Sequence, residues 1–97
     1  MENEVIFHPQ ARVELISALE WYEKQQAGQS RRFWVEYSNC VEGIRNNPLL
    51  FPVVYGKYRR LVMRNFPYNI VFQFKQPVVL IVSVFHQKRN PLKWKKR

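Results

Sequence analysis

At 97 residues the chain supports one domain, spanning residues 1–97, and excludes two comfortable cores. Its 46% hydrophobic and 15% aromatic content excludes a disordered chain, and its longest nearly apolar run, Val78 to Phe85, is too short for a membrane span. The net charge of +9 is unevenly placed: all 7 carboxylates lie within residues 1–42, whereas residues 43–97 hold twelve Lys and Arg and none, which points to a polyanionic partner, nucleic acid or an acidic protein segment.

In chain order, Val5-Ile6-Phe7 reads as a short opening strand. Pro9 suits the first turn of a helix, where a missing N–H costs nothing. Ala11, Leu15, Ala18, Leu19 and Tyr22 recur at helical spacing and predict an amphipathic helix over residues 10–26. Gly28 breaks it, and Ser30 is placed to cap the next helix. There Phe33, Tyr37, Cys40, Val41 and Ile44 share one face, and Asn46-Asn47-Pro48 ends the segment. The connection is very short, so the two helices are predicted to pack as an antiparallel hairpin.

Pro48, Pro52 and Gly56 mark a loop, after which the period changes from helical to two. Tyr58 to Arg64 mixes basic and apolar positions and reads as a half-exposed strand. Phe66-Pro67 punctuates the chain. Tyr68, Ile70, Phe72 and Phe74 then alternate with Asn69, Val71, Gln73 and Lys75. Gln76-Pro77 makes a tight turn, and Val78 to Phe85 has the composition of a central strand covered on both faces. The last three strands form a meander. The predicted class is α+β, in the order β-α-α-β-β-β, with a helical hairpin on one face of a mostly antiparallel sheet. A basic tail over residues 87–97 follows, with Trp94 embedded in it.

Four stretches narrow the reading further: FHPQARVELISALEWYEKQ, with Ala11, Glu14, Ala18, Trp21, Tyr22 and Glu23; IRNNPLLFP; YRRLVMRNFPYNIVF; and VFHQKRNPLKW, with His86, Arg89, Pro91 and Trp94. Together, and in this order over residues 5–97, they resemble the RelE/ParE superfamily of type II toxin–antitoxin toxins, closer to its ParE-like members. The resemblance implies a toxin held inactive by a cognate antitoxin, which wraps an extended and often helical segment around it. RelE-like members cleave mRNA in the ribosomal A site. ParE-like members inhibit DNA gyrase. Both keep a basic concave sheet face.

Metal-free RNA cleavage needs a base for the 2′-OH, an acid for the leaving oxygen and cations for the phosphorane. His86 is the one side chain of the basic half that titrates near neutrality, and Arg60, Arg64 and Arg89 are placed to cluster with it if Arg60, Val62 and Arg64 share a strand face. The match to RelE-like nucleases is nevertheless incomplete. They place an Arg at the start of the third strand, where this chain has Tyr68-Asn69. Several use a Glu before the second strand, and residues 43–97 have none; others use lysines, and only Lys57 is available. The pattern His86-x-x-Arg89 is closer to ParE-like chains.

The expected function is therefore a ParE-like toxin that inhibits DNA gyrase and is neutralised by an acidic antitoxin. The alternatives are a RelE-like ribosome-dependent endoribonuclease with His86 and Arg64 as catalytic residues, and an inactive toxin that retains antitoxin binding. Candidate target- or antitoxin-binding residues are Arg59, Arg60, Arg64, Lys88, Arg89, Lys93, Trp94, Lys95, Lys96 and Arg97.

Plainer readings stand beside these. His86 reads equally as a strand-end histidine bonded to backbone. Arg59 and Arg60 read as a solvated edge that deters strand pairing, and the tail as a frayed terminus. Cys40 reads as a small core residue, Trp21 and Tyr22 as packing for the helix hairpin, and Trp34 as exposed. His8, Cys40 and His86 lack metal-ligand spacing, and three glycines form no phosphate loop, so no metal, cofactor or small-molecule ligand is expected. A single cysteine and an acidic N-terminus without an apolar stretch predict a cytoplasmic protein with no membrane partner.

Overall fold

The computed structural model describes residues 2–89 and 93–97. Pro91, part of the last stretch above, lies outside them, as do residues 90 and 92 of the tail. The chain runs through β1 (Glu4–Phe7), α1 (Pro9–Gln25), α2 (Gln29–Asn46), β2 (Val53–Tyr55), β3 (Tyr58–Val62), β4 (Tyr68–Lys75) and β5 (Val78–His86), with 3-10 turns at Pro48–Leu50 and Lys93–Lys96. The strands form one sheet in the order β1-β5-β4-β3-β2. β1 runs parallel to β5, and all other pairs are antiparallel, so the meander of the last three strands is as the sequence predicts.

The short β2 is an addition to the predicted order. Its three residues are all exposed, and it pairs with β3 through an irregular register at Val53 and Tyr55. Nothing buries a face of it, so it leaves no alternation in the sequence to read.

Local chemistry sets the helix ends. Pro9 stands at the start of α1, and the His8 side chain accepts a hydrogen bond from the Gln10 N–H at 3.1 Å, satisfying one free donor of the first turn. The start of α2 departs from expectation. Gly28, at φ 88°, is the cap residue, and Ser30 lies inside the helix. The free donors there go to Glu23, near the end of α1, whose carboxylate accepts from the Gly28 and Ser30 N–H groups and from the Ser30 hydroxyl. Those bonds hold the Glu23 carboxyl below its usual range, the Ser30 hydroxyl contributing most. One side chain thus both closes the hairpin turn and caps its second helix.

Packing uses both faces of the sheet. On the helix side Ala11, Ala18 and Tyr22 of α1 and Phe33, Tyr37 and Ile44 of α2 cover Tyr68, Ile70, Phe72, Val79, Ile81 and Val84. Phe33, Ile70, Phe72 and Ile81 are wholly buried, each contributing about 2–3 kcal/mol by leaving water. Aromatic rings meet there edge-on or stacked, with Phe33 within 5.3 Å of Tyr22, Phe66 and Tyr68. Between Val71 and Phe72 the register with β5 shifts, so that Val82 is an extra residue. The extra residue resets the alternation, so that Val84 returns to the helix face with Ile81, while Val82 and Phe85 join Tyr58, Val71 and Trp94 in a second cluster on the opposite face.

Candidate functional site

Two grooves of similar size, about 1130 and 1080 Å³, flank the sheet, so their linings and not their volumes distinguish them. The first lies between α2 and the end of β3 that runs past its pairing with β2. Val35, Cys40, Phe51, Leu61 and Val62 make its apolar wall, and Arg31, Arg32 and Arg64 stand in its lining. Val35 and Val62 are 48% and 54% exposed, which is high for aliphatic side chains sharing one groove. Its one carboxylate, Glu36, is occupied: it accepts from the Arg64 N–H, the Asn65 N–H and the Asn65 side-chain amide at 2.8–2.9 Å. Burial pushes the Cys40 thiol up to about 11, with Glu36 adding to the effect, so Cys40 is a neutral wall residue near neutrality.

The second groove lies between α1 and the far end of β5. Val13, Ser17 and Trp21 of α1 face Pro67, Tyr68, His86, Lys88, Arg89 and Lys93 across it. His86 pairs with Tyr68 at the end of the sheet, their rings 5.3 Å apart and edge-on. Its Nδ1 accepts a hydrogen bond from the Lys88 N–H at 3.1 Å, and its carbonyl accepts from the Arg89 N–H. This is the geometry of a strand-end histidine that organises the turn after β5, and it leaves only Nε2 for chemistry. Burial raises the Tyr68 hydroxyl above its ordinary value, and the nearby Arg89 guanidinium partly offsets this.

The tail is fixed to the sheet by a carboxylate from the acidic half. β1 pairs with β5 only as far as Ile81, leaving the next stretch of β5 edge uncovered. Glu14 of α1 reaches that edge. Its Oε1 accepts from the Val84 N–H at 3.1 Å and the Ser83 hydroxyl at 2.9 Å. Arg97 completes the cover: both of its terminal nitrogens donate to the Glu14 carboxylate, and one also donates to the Val82 carbonyl at 3.0 Å. Backbone groups that would otherwise stay unpaired under the tail are thereby satisfied. Trp94, 3% exposed, packs its ring 4.7 Å from Tyr58 on the face opposite the helices. Lys95 stands 4.0 Å over the Tyr55 ring, and its carbonyl accepts from the Tyr58 hydroxyl.

A family model described as ParE toxin of type II toxin-antitoxin system, parDE, matches residues 5–91. The chain belongs to the ParE toxin family. A solved structure titled "Chromosomal ParDE TA system from P. aeruginosa" superposes with a TM-score of 0.77 at 12% identity, covering 87% of this chain and 95% of that one. At that identity the likeness is one of fold. No curated protein matches the chain.

Within this ParE-family fold the cluster expected of Arg60, Arg64, His86 and Arg89 does not assemble. β3 ends at Val62, so Arg64 falls beyond the strand and lines the first groove, whereas His86 and Arg89 line the second. Arg60 alternates with Tyr58 and pairs with Val71, which places it on the face opposite the helices. Only His86 and Arg89 are brought together. Among the other candidates, Arg59 donates to the Phe51 carbonyl at 2.6 Å and ties down the 3-10 turn before β2. Trp94 and Arg97 bind the tail to the domain. Of the candidate cations, Arg60, Arg64, Lys88, Arg89, Lys93 and Lys96 are exposed.

Glu14 and Glu36 were not singled out for these roles by the sequence reading. Glu14 left a signal: it sits in the same helical stripe as Ala11, Ala18 and Tyr22, and a carboxylate inside an apolar stripe requires partners. Glu36 left none, because its partners lie beyond β3. Among the described residues no three His, Cys, Asp or Glu side chains stand close enough to hold a metal ion, and no helix is long and apolar enough to cross a membrane.

Proposed function

We propose that this ParE-family toxin arrests DNA gyrase by binding it through a surface, and that a cognate acidic antitoxin neutralises it. The observation that supports the first part is the dispersal of the groups a metal-free nuclease needs. Arg64 and His86 stand in different grooves, and the carboxylate in each groove is already occupied, Glu36 in one and Glu14 in the other. The pair expected to supply acid–base chemistry and phosphorane binding, His86 and Arg64, therefore has no common centre.

The first groove suits the antitoxin. Exposed Val35 and Val62 offer apolar anchorage, and Arg31, Arg32 and Arg64 offer three positive charges against the single carboxylate of Glu36, whose oxygens are engaged by the Arg64 and Asn65 amides. Purified toxin added to gyrase and relaxed plasmid tests the main reading. Supercoiling is expected to stop, and His86→Ala is expected to stop it equally well. Normal supercoiling together with cut mRNA on ribosomes sinks the reading. One observation favours that second, RelE-like reading: His86 and Arg89 do share a groove with the Tyr68 hydroxyl.

A further inference from the structure

Outside the apolar groove, six of the exposed cations form a band. Lys88, Arg89 and Lys93 line the second groove. The tail then crosses to the face opposite the helices, where Trp94 and Lys95 rest on Tyr58 and Tyr55 and Lys96 is exposed. Lys57, in the β2–β3 turn, and Arg60, next to Tyr58 on that face, continue the band. No carboxylate faces it except Glu14, which Arg97 neutralises.

We propose that this band binds the phosphate backbone of double-stranded DNA directly. Two features favour that partner. The band spreads its charge along a line, through Lys57, Arg60, Lys88, Arg89, Lys93 and Lys96, and does not gather it around one anchor; Trp94 is 3% exposed, and the half-exposed Tyr55 and Trp21 stand apart at its two ends. A duplex backbone needs only cations spaced along it, and a surface whose one carboxylate is already paired with Arg97 supplies them without sequence reading. The inference goes beyond gyrase inhibition and stands independently of it, since the toxin alone is expected to bind.

The test is fluorescence anisotropy of a short labelled DNA duplex titrated with toxin at several salt concentrations. Wild-type toxin is expected to bind with an affinity that falls steeply with salt, each phosphate contact adding about 0.9 to the log–log slope. The variant Lys57→Glu/Lys93→Glu/Lys96→Glu, all at exposed positions, is expected to lose at least about tenfold in affinity and to flatten the slope by roughly three. The variant Lys24→Glu/Arg31→Glu/Arg32→Glu, with the same net charge but altered on the helical side, is expected to bind as wild type. Circular dichroism confirms that both are folded. Absence of binding at low salt, or equal loss in both variants, overturns the proposal. So does equal or tighter binding of single-stranded RNA or of a poly-glutamate peptide. Because gyrase is absent, failure here leaves the gyrase reading standing, and failure of gyrase inhibition leaves this one standing.

Discussion

The Glu14 carboxylate accepts from Arg97, the Ser83 hydroxyl and the Val84 N–H while its own side chain is 22% exposed. Such a pair lies between a surface ion pair, worth about 0–1 kcal/mol, and a fully buried one, whose breakage costs about 3–5 kcal/mol. Glu14→Ala is therefore expected to destabilise the protein by about 2 kcal/mol, read as a lower urea midpoint with an unchanged slope. Arg97→Lys is expected to recover little of the loss seen in Arg97→Ala, because an ammonium does not reproduce the fork that holds the carboxylate and the Val82 carbonyl together. Equal stability of wild type and Glu14→Ala would show that the tail is held without this latch. Cys40 offers a second probe at this scale. With its thiol held protonated up to about 11, alkylation at mildly alkaline pH is expected to be slow in the folded protein and to speed up on unfolding. Fast alkylation of the native protein contradicts the burial assigned to it.

Among the elements, α2 carries two glycines whose replacement is expected to act in opposite directions. Gly28 caps the helix at φ 88°, and a Cβ there meets no atom within 4 Å, so Gly28→Ala suffers only backbone strain of about 1–2 kcal/mol. Gly43 lies inside the helix, also with open space at the Cβ position, so Gly43→Ala is expected to stabilise by about 0.5–1 kcal/mol. Thermal melts of the two variants check both signs; a shared sign contradicts the helix boundaries. The elements that bury a face, α1, α2, β4 and β5, were legible in the sequence because periodic burial writes periodic apolar positions. β2 was not, since an exposed three-residue strand owes its conformation to β3. The start of α2 was misplaced onto Ser30 because its donors are met by Glu23, five or more residues away in the chain. The charge asymmetry was legible, but which cations remain free was not. Arg59 and Arg97 are consumed by carbonyls and a carboxylate that only the folded chain brings to them. The end of β3 at Val62 likewise separates Arg64 from His86, which a simple alternation through Arg64 had joined.

At the scale of the molecule, the fold divides its surface: an apolar groove whose one carboxylate is bonded to amides on one side, a cationic band whose one carboxylate is paired with Arg97 on the other. Its buried acids also set an alkaline limit. Burial pushes Tyr37 up to about 12 and Cys40 up to about 11, against ordinary values of 10.0 and 9.0. The folded state thus keeps protons that the unfolded chain releases, so this stability is fully present below pH 9 and is lost as pH rises from there through about 11 and 12. Urea midpoints are expected to fall across that window, and a midpoint that rises contradicts the assignment. The central claim concerns the target and is tested most directly in living cells. The toxin is expressed in a bacterium from a tightly controlled promoter, and DNA and protein synthesis are pulse-labelled soon after induction. The account predicts that DNA synthesis stops first while translation continues; protein synthesis stopping first contradicts it.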